Sequence, residues 1–368
     1  MDLDFTPAEQ DFRAEVRDWL AAHHPGVLPS MDTAAGFRAH RAWEAELAAA
    51  RLSAVSWPVE YGGRGASLIE WLVFEEEYWA AAAPGRVSQN GIVLLAPTLF
   101  AFGTPGQRAR WLPGMARADE IWAQAWSEPE AGSDLAALTA RAERVPGGWR
   151  LTGHKTWSSR AAYASHGFGL FRTSGERHRG LTYFLFPLDE PEVEVRPIAQ
   201  LDGEHGFAEL RFDGLFVPDS MVVGEPGEGW RIAMATTSSE RGLSLRSPGR
   251  FLATADRLVE LAAGADPVLA DRAARCWIDA EAYRLHTFAT ARRLMAGAEI
   301  GPAASLGKVF WSELDLRMHA LARDLLGERA AGTPWFDGFL FALAGPIYAG
   351  TNEIQRGIIA ERVLGLPR

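Results

Sequence analysis

Two stretches carry side chains of the kind that hold ligands. The first runs Trp126-Ser127-Glu128-Pro129-Glu130-Ala131-Gly132-Ser133-Asp134, and the second Gly153-His154-Lys155-Thr156-Trp157-Ser158-Ser159. A proline turn, small hydroxyls and a glycine beside a serine let a loop approach a phosphate or a flavin edge closely. The second stretch adds a flat indole next to two further hydroxyls. Each has a plainer reading: Gly-Ser-Asp also makes an ordinary turn, and Trp157 also reads as a core aromatic at a strand end. A carboxylate, Glu240, stands in Thr236-Thr237-Ser238-Ser239-Glu240-Arg241-Gly242. By itself it reads as a solvated helix-surface residue, because glutamate is rarely buried.

The elements that must position these residues follow from periodicity. Residues 1 to about 115 read as helices: Thr6-Pro7-Ala8-Glu9 is a capping box with proline at the first helical position, followed by Phe12, Val16, Trp19 and Leu20 at helical spacing. That helix ends at His23-His24-Pro25-Gly26; further helices are expected over Thr33–Ala50, Leu68–Ala83 and Ile92–Phe102, with Gly103-Thr104-Pro105 capping the next. The His pair reads as a helix end, since no further metal ligand stands at a suitable spacing. Gly62-Gly63-Arg64-Gly65 follows a proline turn rather than a strand, so it is a weak nucleotide signal. From about Trp122 to Val223 the period changes to two, with short strands around Trp149–Gly153, Gly167–Phe171, Leu181–Phe186, Val193–Arg196 and Phe207–Phe212. Such spacing predicts a small barrel or sandwich. Helical periodicity then returns, as one long helix from Gly229 toward Ala263 with a bend at Ser247-Pro248-Gly249, then Pro267–Met295, Ala303–Leu326 and Asn352–Leu364.

Composition narrows the function classes. The 368 residues are 48% hydrophobic and 23% charged, enough for two or three domains with a sizeable core and too apolar for disorder. The net charge of −10 argues against a nucleic-acid partner, which calls for a basic surface. Cys276 is the only cysteine; it lies in the apolar helical context Arg275-Cys276-Trp277-Ile278 and reads as a small buried side chain. No internal disulfide and no metal site is expected. The acidic start Met1-Asp2-Leu3-Asp4-Phe5 lacks the features of a signal peptide. No apolar run approaches the roughly 18 residues of a membrane span. The expectation is a cytoplasmic protein without membrane partners.

The two loop stretches, in this order between helical segments, resemble the flavin-holding loops of the acyl-CoA dehydrogenase family. Gln200-Leu201-Asp202-Gly203, then Phe207 and Phe212-Asp213-Gly214-Leu215-Phe216-Val217-Pro218, is similar to the end of that family's β-domain. Ile347-Tyr348-Ala349-Gly350-Thr351-Asn352-Glu353-Ile354-Gln355-Arg356 is similar to its C-terminal cofactor motif. The resemblance covers nearly the whole chain. It implies an α+β multidomain fold: an N-terminal α-helical domain over 1–118, a middle β-barrel-like domain over 119–224 and a C-terminal four-helix-bundle-like domain over 225–368.

It also implies FAD as cofactor and roles residue by residue. Trp126 and Ser127 would lie along the flavin pyrimidine, Ser133 would meet the pyrophosphate close to the substrate, Trp157 would stack at the isoalloxazine and Ser159 would approach N5. Gly350, Thr351 and Glu353 would contact the ADP half. Many family members carry the catalytic glutamate where this chain has Ala349, but isovaleryl- and long-chain-type dehydrogenases place it on the long helix after the β-domain. Glu240 falls at that position and is expected to be the base, with the Ala349 backbone N–H polarising the thioester carbonyl and Arg241 a candidate contact for the CoA arm. A base moved to that helix suggests a branched, long or bulky acyl group.

Two family features are missing. The Arg-x-x-Phe-Gly stretch that reaches a neighbour's FAD is replaced by Ala262-Ala263-Gly264-Ala265-Asp266-Pro267-Val268-Leu269. The Gln-x-x-Gly-Gly-x-Gly-Tyr loop is replaced around Leu326-Gly327-Glu328-Arg329-Ala330-Ala331-Gly332-Thr333-Pro334. The implied partners are an acyl-CoA substrate, an electron-transfer flavoprotein as acceptor, and either further copies of this chain (dimer or tetramer) or a related subunit in a heterotetramer. The alternatives to an acyl-CoA dehydrogenase are a subunit of a heteromeric enzyme with little activity alone, and flavin oxidation of a carrier-bound or non-CoA substrate.

Overall fold

The computed structural model describes residues 4–241, 247–298 and 301–367, apart from the side chains of 238–241. In chain order the elements begin with α1 (Pro7–His23), α2 (Ala34–Ala49), α3 (Leu68–Ala80), α4 (Ala96–Phe102) and α5 (Pro105–Ala116). The strands are β1 (Trp122–Ala125), β2 (Arg141–Val145), β3 (Gly148–Ser159), β4 (His166–Arg172), β5 (Leu181–Pro187), β6 (Val193–Ile198), β7 (Phe207–Pro218) and β8 (Val222–Val223). The chain continues with α6 (Gly229–Arg241), α7 (Pro248–Leu261), α8 (Pro267–Met295), α9 (Ala304–Leu326), α10 (Pro334–Ala342) and α11 (Asn352–Ile358). These form two compact units: Met1–His24 with Ala66–Ala83 and Glu240–Arg368, and Pro25–Gly65 with Pro84–Ser239.

The first unit is helical. Thr6 and Glu9 close the expected capping box on α1, and Ser67 and Glu70 close another on α3, each pair satisfying two backbone N–H groups that the first turn leaves open. The helices bury one core, with Phe251 and Leu258 of α7, Cys276 and Ala280 of α8, and Trp311, Leu314 and Met318 of α9. Cys276 is thus the small buried side chain its context suggested, and burial pushes its thiol pKa up. A charged staple ties three helices together. Buried Glu76 of α3 accepts from Arg13 of α1 at 2.7 Å and from Arg284 of α8.

The single long helix expected from Gly229 is two helices among the described residues, α6 and α7. Ser247 caps α7 by accepting the Gly249 N–H, and Pro248 stands at its first position, where a missing N–H costs nothing. α10 lies in a region where the sequence suggested only a replaced loop. Its run Trp335-Phe336-Asp337-Gly338-Phe339-Leu340-Phe341 has too little polar alternation to show a helical face.

The second unit holds the sheet, within the limits that the change of period indicated. Its eight strands follow the order β6-β7-β3-β2-β4-β5-β8, with β1 pairing parallel to β4. The β2 and β4 halves meet at one parallel pair, Arg141 with Arg172. About that seam the sheet doubles over its own core. Phe171 and Phe186 set their rings edge-on against Phe212, and Trp149 meets Phe184 in the same manner. β1, β2 and β8 escaped the strand reading: β8 is two residues long, and β2 is mostly charged because only one of its faces meets the core. The helix expected from Ile92 begins earlier, as a π-helical turn over Asn90–Leu95 that runs into α4. Thr104 and Gln107 cap α5 reciprocally, as Gly103-Thr104-Pro105 suggested.

Among the described residues, no helix is long and apolar enough to cross a membrane, and no group of three metal-ligating side chains occurs.

Candidate active site

In the sheet unit, the two loop stretches become one surface. Glu128-Pro129-Glu130-Ala131 is a tight turn, closed by Glu128 N–H to the Ala131 carbonyl and Ala131 N–H to the Glu128 carbonyl, both 3.1 Å. The Thr156 N–H donates to the Ser127 carbonyl at 2.9 Å and lays the turn along β3. Ser127 is half-buried there, and Ser133 is exposed beyond the turn.

β3 departs from regular pairing at this point. Between Lys155 and Ser158 its register against β7 slips, and Trp157 takes φ 58°. A bulge with a left-handed residue re-aims its side chain. The Trp157 indole is therefore 59% exposed, edge-on to Phe207 at 6.0 Å, and it is not the core aromatic that a regular strand end would make. Ser159 is half-buried, paired in register with Phe207. Left-handed backbone at a large residue costs on the order of 1–3 kcal/mol and persists only where its surroundings hold it.

Those surroundings are a buried ion pair. Lys155, with no exposed surface, donates to Glu128 Oε1 at 2.9 Å and to the Trp126 carbonyl at 3.2 Å. Glu128 also accepts the Thr139 N–H at 2.6 Å, the Thr139 hydroxyl at 2.8 Å and the Ala140 N–H at 2.9 Å. Burial lowers the Lys155 pKa to about 8 against the pull of Glu128, so the ammonium is charged at neutral pH. Burial would raise the Glu128 pKa, but the Lys155 charge and the donated hydrogen bonds outweigh it and hold the carboxyl below its ordinary value.

Both residues stand inside the quoted motifs, yet the sequence assigned them no role. A signal was present: Lys155 shares strand parity with Leu151, so it points at the core, where a cation requires a buried partner. A carboxylate with a depressed folded pKa contributes stability that is fully present above its unfolded value of 4.5 and is lost as pH falls through the folded value. Thermal melts of the wild type should therefore drop between about pH 5 and about pH 3 by more than those of Glu128→Gln, which has no carboxylate to titrate there. Equal slopes would exclude the pair as an acid-sensitive element.

In the helical unit, Ala349, Gly350, Thr351 and Glu353 form one turn leading into α11. Ala349 and Gly350 are consecutive left-handed residues, φ 57° and 81°. Thr351 caps α11 by accepting the Ile354 N–H at 3.3 Å. Glu353 is exposed, and its carboxyl is held below the ordinary range first by its own backbone N–H and then by Thr351. Tyr348 stacks on Trp311 with centroids 6.0 Å apart, so the turn starts from the helical core. Glu240 and Arg241 end α6, and their side chains lie outside the described residues.

Three family models match in chain order: the acyl-CoA dehydrogenase N-terminal domain over residues 6–119, its middle domain over 123–215 and its C-terminal domain over 227–364. The chain belongs to the acyl-CoA dehydrogenase family. Acyl-CoA dehydrogenase IpdE1 of Mycobacterium tuberculosis is 42% identical, covering 98% of each chain, and IpdE1 of Mycolicibacterium smegmatis is 41% identical over the same shares. Among solved structures, the Tcur3481-Tcur3483 steroid ACAD superposes with a TM-score of 0.87 at 26% identity over 100% of both chains. The ChsE4-ChsE5 complex from Mycobacterium tuberculosis gives 0.85 at 29% identity, also over 100% of both.

The dehydrogenase is thus an FAD-dependent oxidoreductase. Its residues fit the cofactor. The Trp157 face is open while its backbone is pinned, as a planar ring system requires. The Trp126 indole N–H and the Ser158 hydroxyl, one from each stretch, are buried with no hydrogen-bond partner among the described residues. A ligand held at this surface would complete the bonding of such groups.

Proposed function

We propose that this acyl-CoA dehydrogenase oxidises the Cα–Cβ bond of a bulky, branched acyl-CoA of the steroid side-chain type, with Glu240 as the base. The observation that carries the substrate class is the full-chain likeness to a steroid ACAD, supported by the alanine at 349. An alanine there cannot accept a proton, so the base must come from elsewhere, and Glu240 ends the first helix after the sheet. In this reading Glu240 takes the α-proton, a task that calls for a carboxylate whose pKa is raised toward neutrality by loss of water. The Ala349 N–H donates to the thioester carbonyl oxygen, a bond that strengthens as enolate charge develops and makes that proton more acidic. Trp126, Ser127, Trp157 and Ser159 hold the flavin, Ser133 its pyrophosphate near the substrate, and Gly350, Thr351 and Glu353 the ADP half. Arg241 contacts the CoA arm. FAD, when bound, supplies the hydride acceptor.

The missing Arg-x-x-Phe-Gly and Gln-x-x-Gly-Gly-x-Gly-Tyr features favour assembly with an unlike, related subunit over a homo-oligomer, in keeping with the ChsE4-ChsE5 complex among the solved relatives. The electron acceptor is an electron-transfer flavoprotein. The experiment is anaerobic visible spectroscopy of the purified protein against a panel of acyl-CoA thioesters. Bleaching of bound flavin by a steroid side-chain CoA thioester, and not by short straight-chain thioesters, is the expected result. Bleaching by the short thioesters instead would overturn the substrate class. Flavin that no CoA thioester bleaches would favour a carrier-bound substrate. A colourless protein that gains flavin only with a second subunit would place activity in a heteromer.

A further inference from the structure

A buried polar network lies directly beneath the Ala349–Thr351 turn, and no step above uses it. Gln355 of α11 has no exposed surface, and its amide Nε2 donates to two carbonyls, of Ala349 at 3.3 Å and of Gly350 at 3.2 Å. The other end of that amide, Oε1, accepts the hydroxyl of Ser305 on α9 at 2.8 Å. This fixes the orientation of the amide, because a flipped group would set its oxygen against two carbonyl oxygens. A second anchor lies alongside. Asn352 donates its N–H to the Pro346 carbonyl at 2.8 Å, and its side-chain oxygen accepts from the buried ammonium of Lys308 at 2.7 Å and from Ser312 at 3.2 Å. Ser305, Lys308 and Ser312 all belong to α9.

The turn needs such anchors. Two consecutive left-handed residues, one of them an alanine, are not a conformation the chain keeps unaided. Fixing the carbonyls of 349 and 350 fixes the peptide planes on the far side of Ala349. Tyr348, packed on Trp311, fixes the near side. The space is closed as well: a Cβ on Gly350 would come within 2.6 Å of Gln355 Nε2, so a side chain at 350 would displace the amide that holds the turn.

We infer that Gln355, oriented by Ser305, is a positioning residue that holds the Ala349–Gly350 turn left-handed and so aims the Ala349 N–H. The inference rests on the proposed role of that N–H only for its effect on turnover. Its effect on the turn stands apart. Gln355→Met keeps the volume and removes the donors; Ser305→Ala is the milder companion, removing the bond that anchors the other end of the amide.

The experiment measures hydrogen exchange across residues 346–354 of the FAD-loaded protein, together with kcat and KM for a steroid side-chain CoA thioester. In Gln355→Met, exchange in the turn should rise by about tenfold or more while α7 and α8 stay protected. Turnover should fall about ten- to a hundredfold with KM nearly unchanged, as expected when a transition-state donor is misaimed by less than an ångström. Ser305→Ala should move both readouts the same way by less. Wild-type exchange in the turn of both variants would overturn the inference whatever turnover does. So would exchange rising equally through α7 and α8, which marks a general loss of stability. Loosened exchange with unchanged kcat would leave Gln355 holding the turn and count against the Ala349 N–H as carbonyl donor.

Discussion

Glu240→Gln should retain FAD and bind the thioester, yet lose turnover by a factor of about 10²–10⁴, the usual contribution of a positioned general base. The amide is nearly isosteric and cannot accept the α-proton, so the loss should fall on kcat with KM little changed. Its pH profile supplies a second check. The acidic limb of kcat/KM, set in the wild type by ionisation of the base, should disappear from the residual rate. Moving the carboxylate to the other position offers a sharper test: Ala349→Glu in the Glu240→Gln background restores a base at the site that many relatives use. Turnover of Glu240→Gln equal to that of wild type would eliminate the assignment. Such a result would direct attention to a subunit whose chemistry lies in a partner chain.

Lys155→Met should be the most damaging single change away from the reacting atoms. Removing one partner of a buried ion pair leaves the other charge without compensation, at a cost of about 3–5 kcal/mol. Here Glu128 would keep its bonds from Thr139 and Ala140, so the lower end, about 3 kcal/mol, is expected in urea unfolding. The functional effect should exceed that of an equally destabilising core truncation. The Lys155 ammonium also holds the Trp126 carbonyl, so its loss frees the turn that carries Ser127 and loosens the bulge that presents Trp157. FAD should dissociate during gel filtration of the variant. Adding Glu128→Gln to Lys155→Met should recover part of the stability, since the double variant buries no charge. An unfolding free energy for Lys155→Met within about 0.5 kcal/mol of wild type would show that the pair is dispensable.

Much of this protein was legible in its sequence because the relevant physics is local. Capping at Thr6 and Thr104 depends on side chains reaching backbone groups three residues away. The limits of the sheet follow from a change of period at Trp122 and its return after Val223. The family membership follows from motifs that are contiguous in the chain. Cys276 too was read correctly, as a small buried side chain, from its helical apolar context in the chain.

What needed the tertiary structure involves pairs far apart in sequence or backbone that no composition encodes. Trp157 suited a core position by residue type; only a register slip against β7 and a left-handed φ turn it outward. Lys155 and Glu128 stand 27 residues apart, and their pairing appears only once β3 carries the 126–131 turn on its flank. Ser305 and Gln355 are 50 residues apart, so the support of the Ala349–Thr351 turn is invisible until α9 packs beneath α11. The presence of α10 likewise shows only in the folded chain, where it packs on α9. The sequence by itself determined the family and the limits of the helical and sheet regions, because residue type and short spacing suffice for that. The tertiary structure decided how the motif residues are held, because holding a strained backbone takes partners that only folding brings within bonding distance.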